Sequence, residues 1–327
     1  MIFDALAVFL SSFLLFQIQP LIGKYILPWF GGTAGVWSAS LLTFQTLLTC
    51  GYAYSHWLVN RQTPKRQGVW HLVLLGLSLL LLGGQASGWG SPLLPGPSWR
   101  PDGSGQPLAV VLTILLVAVG GPYLLLAANS TLIQAWFARE HPGRSPYGLY
   151  ALSNAGSFLG LLAYPFLVEP VFSLKHQALI WTGIYLLFVL VIAARSWRVF
   201  RNARQEKVLA GGFIPGEQNP GINLKVFGSW LGLAALASIL LVATSSRMTQ
   251  EVAAVPFLWV LPLGVYLLSF LLTFSGEGWY PRVFFLILLF AATIVYLWIV
   301  VAAAAGFIFQ IGVYLVLLFA CSMICHG

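Results

Sequence analysis

Apolar runs of about twenty residues, each closed by a short cluster of polar, Pro or Gly positions, recur from one end of this chain to the other. A helix that crosses a bilayer needs about 20 mostly apolar residues. On that ruler ten spans are predicted: 3–28, 34–59, 68–88, 107–128, 147–169, 176–195, 229–246, 252–274, 281–303 and 305–325. The fourth is expected to run on to Phe137 with a kink at Gly120-Gly121-Pro122, because proline removes a backbone hydrogen bond and clashes with the preceding turn. Only "VVAAAAGF" separates the ninth from the tenth, so one long kinked element is the alternative there.

Two polar interruptions are longer than the rest. Residues 89–106 are rich in Pro and Gly and read as an irregular loop, with Trp89 and Trp99 near the membrane interface. Residues 196–228 form a basic linker in which Arg198, Arg201 and Arg204 recur every third position. That spacing suits a short amphipathic helix on anionic headgroups, or else a solvated connection. The linker divides a six-helix bundle, 1–195, from a four-helix bundle, 229–327. Six helices, a basic linker and a second set is how transporter halves are arranged. The second set is two short of six and stops at "CSMICHG", so an incomplete C-terminal half is expected.

Composition turns this pattern into a class. Of 327 residues 59% are hydrophobic and 7% charged, with mean hydropathy +0.88; soluble domains are about one-quarter charged. Lipid must therefore be the solvent for much of the surface, and an all-α polytopic bundle follows. The net charge of +8 does not point to nucleic acid, since no basic run is interleaved with aromatics. Twelve Lys and Arg residues, from Arg61 to Arg282, fall in connections after even-numbered spans, against three after odd ones (Arg100, Lys175, Arg247). The positive-inside rule then puts the N-terminus in the cytoplasm. "MIFDALAV" lacks a basic region, so it is expected to be a retained span and not a cleaved signal. Cys50, Cys321 and Cys325 all lie in apolar runs, which argues against a disulfide framework.

Four stretches, "LLFQIQPLIGKYILPWFGGTAGVW" (14–37), "LLAANSTLIQAWFAR" (125–139), "YGLYALSNAGSFLGLLAYPFLVEP" (147–170) and the terminal "CHG" (325–327), resemble the membrane region of the fused major-facilitator/spermidine-synthase-like proteins of bacteria. The resemblance touches about a quarter of the chain. It implies a major-facilitator-like six-helix half in the bacterial inner membrane, and in longer members a soluble enzyme domain like spermidine synthase or a methyltransferase. That domain's glycine-rich turn after a strand is absent: "GGTAGVW" lies between two spans and "AGGFIPGEQNPG" follows no strand.

The candidate chemistry lies in polar residues at membrane depth. Gln17, Pro20 and Lys24 share one face of the first span, with Gln19 roughly opposite. They line a polar cavity, or else Lys24 snorkels and the glutamines hold helices together at about 0.6 kcal/mol each. Pro20 also frees the carbonyl of Phe16, which a glutamine amide is placed to satisfy. The second span adds Ser38, Gln45 and Thr49, and the fifth adds Asn154, Ser157 and Tyr164 beside Gly156-x-x-x-Gly160, a close-packing pattern. The expected pocket lies between spans one, two and five. Arg247 and Glu251 form a candidate outer gate or a plain surface pair. "CSMICH" is one residue too long for covalent haem attachment, "NST" at 129–131 lies too deep for glycosylation, and the five histidines show no ligand spacing. No catalytic set, metal or cofactor is expected. The reading is a transporter-like protein for a small polar solute; the alternative is an inert anchor for a soluble enzyme, or an accessory subunit of a larger membrane complex.

Overall fold

A computed structural model describes residues 1–30, 34–101, 107–206, 224–251, 260–275, 277–302 and 306–327. Apart from two short 3-10 turns, the described elements form ten helices: α1 (Ile2–Phe30), α2 (Ala34–Arg61), α3 (Pro64–Trp89), α4 (Leu108–Glu140), α5 (Tyr147–Val171), α6 (Leu174–Glu206), α7 (Leu224–Glu251), α8 (Val260–Ser275), α9 (Arg282–Ala302) and α10 (Phe307–His326). Eight of them, all but α2 and α8, are long and apolar enough to cross a membrane. Each of the ten predicted spans overlaps one helix; α2 is not among the eight apolar enough to cross, and α8 has 16 described residues.

The kink expected at Gly120-Gly121-Pro122 is a widened, π-helical turn at Leu116–Gly120, just before the proline, and α5 has a second at Tyr164–Val168 around Pro165. A proline leaves a carbonyl without its donor, and a wide turn takes up the mismatch without ending the helix.

The chain divides into two compact units, Met1–Lys207 and Val208–Gly327. This moves the expected boundary: α6 does not stop at Arg195 but continues to Glu206. Arg195 and Ser196 lie in the core, 4% and 0% exposed, where the backbone has to keep its helical hydrogen bonds. Arg198 and its neighbours therefore begin as the last turns of α6, not as a separate surface helix.

In the N-terminal unit α1 is the central helix. It packs on α4, α5 and α6, while α2 lies along α4, and α3 along α6 and α4. Exchanging α1, α2 and α3 for α4, α5 and α6 turns the α1–α5 contact into α4–α2, and leaves α1–α4 and α3–α6 unchanged. The ends sort onto two faces. On one, the start of α1, the end of α4 and the α6 segment around Arg195 meet through charged side chains. On the other, Tyr25 donates to the carbonyl of Pro95, Arg100 lies over the Trp29 ring, and Lys24 reaches Glu169.

In the C-terminal unit α10 packs against α7, α8 and α9. Since α9 and α10 lie side by side, they are two helices and not one long kinked element. His326 stacks on Phe270 with 3.7 Å between ring centroids and shares a 3.1 Å hydrogen bond with Ser269, fixing the end of α10 to α8.

Candidate functional site

The most polar packed seam joins α1 to α5. Ser12 and Ser153 share a hydrogen bond of 2.7 Å, Gln17 Nε2 donates to the carbonyl of Gly160 at 2.7 Å, and Lys24 Nζ meets Glu169 Oε1 at 2.6 Å. Two glycines bring the backbones this close. A Cβ on Gly160 would stand 2.5 Å from the Phe13 carbonyl oxygen, and one on Gly156 would stand 2.7 Å from that of Phe9. The seam between α2 and α4 repeats the device: a Cβ on Gly51 would stand 2.7 Å from the Leu124 carbonyl oxygen, and Ser55 and Thr131 share a 2.5 Å hydrogen bond.

Hydroxyls and amides continue from the α1–α5 seam onto α4. Ser130 Oγ donates to Ser153 Oγ at 3.2 Å, and Gln134 Nε2 donates to Ser130 at 3.1 Å. Asn129, fully buried, donates from Nδ2 to the Ala7 carbonyl and to Ser11 Oγ, while its Oδ1 has no hydrogen-bond partner among the described residues. A buried acceptor left unmatched costs about 1–3 kcal/mol unless water or solute meets it. These residues were missed in the sequence reading. Their signal in the sequence is "NST" at 129–131, three consecutive polar residues at membrane depth.

The residues expected to share a pocket between α1, α2 and α5 are divided among different seams and surfaces. Gln17 lies in the α1–α5 seam, and Gln19 Nε2 donates to the hydroxyl of Tyr123 on α4 at 2.8 Å, so both amides reach neighbouring helices and not Phe16. Asn154 donates to the Tyr150 carbonyl of its own helix. Lys24 does not snorkel alone but forms a half-exposed ion pair. The Ser38 side chain lies outside the described residues. Gln45 is exposed on α2, away from Gln17 and Asn154. The reason is geometric: α2 pairs with α4 and α5 with α1, so residues of α2 and α5 do not share a wall.

Gln45 belongs to an exposed stripe of α2 that includes Thr46, Thr49, His56 and Asn60, with Cys50 at its edge. Thr49 returns its hydroxyl to the Gln45 carbonyl and Asn60 bonds His56. The Gln45 amide makes no hydrogen bond among the described residues.

The expected gate is also revised. Arg247 and Glu251 both lie at the end of α7, around the end of its apolar stretch Leu224–Met248. A pair four residues apart on one helix links adjacent turns and holds no two elements together. Arg247 is exposed, and the Glu251 side chain lies outside the described residues.

Eight bilayer-length apolar helices and polar groups satisfied between helices define the class: an all-α, multi-pass integral membrane protein. Compared with known proteins, the chain matches no protein-family model and no curated protein.

Proposed function

We propose that the chain is a transporter-like membrane protein whose N-terminal unit borders a hydrated path for a small polar solute. The observation that carries this reading is Gln45. It stands eleven residues along α2 from Ala34, about 16 Å at 1.5 Å per residue. That is roughly the mid-depth of a hydrocarbon core about 30 Å thick. An amide facing lipid there would cost about 2–7 kcal/mol, far more than the roughly 0.6 kcal/mol an interhelical bond returns. An exposed Gln45 is therefore read as facing water. The paired exchange of α1–α3 with α4–α6 supports the same reading, because inverted internal repeats are a recurrent transporter design. The unmatched Oδ1 of Asn129 adds a second polar position at depth.

In this reading the N-terminus is cytoplasmic and the membrane is a bacterial inner membrane, following the loop charges and the resemblance to the major-facilitator/spermidine-synthase-like proteins. No catalytic role is part of it. Asp4, Glu140 and Glu169 each meet a cation of the chain itself, which disfavours a polyamine as the solute. A second reading, an inert anchor for a soluble enzyme or an accessory subunit, is favoured by Gln17, Gln67, Gln85 and Asn129, whose amide N–H groups each donate to a backbone carbonyl.

The test replaces Gln45 by cysteine in a Cys50→Ser/Cys321→Ser/Cys325→Ser background, in sealed vesicles. Water-facing Gln45→Cys reacts with a charged, membrane-impermeant methanethiosulfonate from one side. Reaction only with a lipid-soluble maleimide would place the position in lipid and end the transporter reading. Reaction with neither would show it covered by a partner and favour the anchor reading.

A further inference from the structure

We propose that the corner where α2 turns into α3 binds the phosphodiester headgroup of an anionic phospholipid from the surrounding bilayer. A groove of about 600 Å³ opens there, lined by Gln62, Lys65, Arg66, Val69 and Trp70. Arg61 flanks it on the exposed last turn of α2.

Charge is the first argument. Arg61, Lys65 and Arg66 meet no carboxylate among the described residues, and the chain contains no Asp or Glu between Asp4 and Asp102. Five other cations of the unit are engaged: Lys24 and Arg195 are in ion pairs, Arg100 and Arg198 lie over aromatic rings, and Arg144 reaches the Met1 sulfur, whereas Arg139 and Lys175 stand singly at other helix ends. This corner gathers three positive charges with no carboxylate among the described residues to balance them.

The second argument is shape. Val69 and Trp70, 46% and 50% exposed, form an apolar wall one turn along α3 from the cations. A free phosphate has no use for that wall. A phospholipid places its phosphate on the cations and its glycerol and upper acyl carbons against Val69 and Trp70, at the depth where tryptophan concentrates in membrane proteins. The corner is also held in shape beforehand. Gln67, fully buried, donates to the Gln62 carbonyl at 2.7 Å and accepts from Trp136 Nε1 at 2.8 Å, fixing the turn against α4. The inference rests on the membrane class alone and is independent of transport.

The test titrates the full-length protein in neutral detergent micelles with dioleoyl phosphatidylglycerol or dioleoyl phosphatidylcholine, and reads bound lipid by native mass spectrometry. Wild type is expected to prefer phosphatidylglycerol, with the preference lost in high salt. Lys65→Gln/Arg66→Gln should weaken phosphatidylglycerol roughly thirtyfold, each cation near an anionic surface contributing about fivefold, and should leave phosphatidylcholine unchanged. Arg139→Gln/Arg282→Gln removes the same charge elsewhere and should change neither lipid by more than about threefold. Equal phosphatidylglycerol affinity in the Lys65/Arg66 variant would overturn the proposal, as would an equal loss in the control. Displacement by soluble glycerol phosphate at matching concentration would also overturn it, showing a free-anion site.

Discussion

At the scale of single residues, three glycines set how the N-terminal unit packs. Gly51, Gly156 and Gly160 each place backbone where a Cβ would lie under 3.0 Å from a carbonyl oxygen of the neighbouring helix. A carbonyl oxygen belongs to the helix and cannot rotate away, so an added methyl must push the helices apart. Gly160→Ala is expected to destabilise the protein by about 1–3 kcal/mol, read as a lower Tm in detergent. Gly183→Ala, on α6 with nothing within 4 Å, serves as its control. It removes a flexible residue from a helix and should be neutral or stabilise by up to about 1 kcal/mol. Equal Tm values for the two variants would show that the close approach is not needed. The Gly156-x-x-x-Gly160 spacing was visible in the sequence; Gly51 was not, because one glycine has no spacing to recognise.

At the scale of elements, one ionic cluster ties three helices together. Arg195 of α6 donates to Asp4 of α1 at 2.5 Å and to Glu140 of α4 at 2.6 Å, and the amino terminus adds a second contact to Asp4 at 2.9 Å. Arg195 and Asp4 are almost fully buried, whereas Glu140 is 39% exposed. Removing one partner of a buried pair leaves the other charge uncompensated, so Arg195→Gln should cost about 3–5 kcal/mol. Adding Asp4→Asn should restore much of that loss. Glu140→Gln should cost under about 1 kcal/mol, because water screens it. A double-mutant cycle on Tm checks all three, and additive effects of Arg195 and Asp4 would refute the coupling. The same cluster shows where reading the sequence ends. Helix positions were legible because a bilayer dictates about twenty apolar residues per span, and the predicted bounds of α1 and α2 lie within two residues of those observed. Arg195 was read as a loop charge because its partners stand 191 and 55 positions away. For the same reason periodicity alone cannot separate Gln17, Gln45 and Asn154, which the fold puts on different surfaces. Periodicity places a residue on a face, but which helix meets that face is a tertiary choice.

At the scale of the whole molecule, the proposed membrane orientation draws on two independent arguments. The first is packing: in the N-terminal unit the start of α1, the end of α4 and the Arg195 segment of α6 share one face, and Trp136 bonded to Gln67 brings the α2–α3 turn to it. The opposite face holds the end of α1, the α3–α4 loop at Pro95 and Arg100, and the end of α5. The helices therefore alternate in direction without reference to charge. The second is charge: the first face carries Arg61, Lys65, Arg66, Arg139, Arg144, Arg195 and Arg198, and the second carries Lys24, Arg100 and Lys175. In the proposed orientation the positive-inside rule makes the first face cytoplasmic, and it can be applied only after packing has grouped the loops. Reporter fusions at Gln62 and Gly143 are thus expected to be active as green fluorescent protein and inactive as alkaline phosphatase, with the reverse at Arg100 and Ser173. Phosphatase activity at all four sites would break the alternation that packing demands. A clean inversion would keep the fold and overturn the orientation. It would also move the Arg61, Lys65 and Arg66 corner to the outer leaflet, where the headgroup site would have to draw on the anionic lipid there.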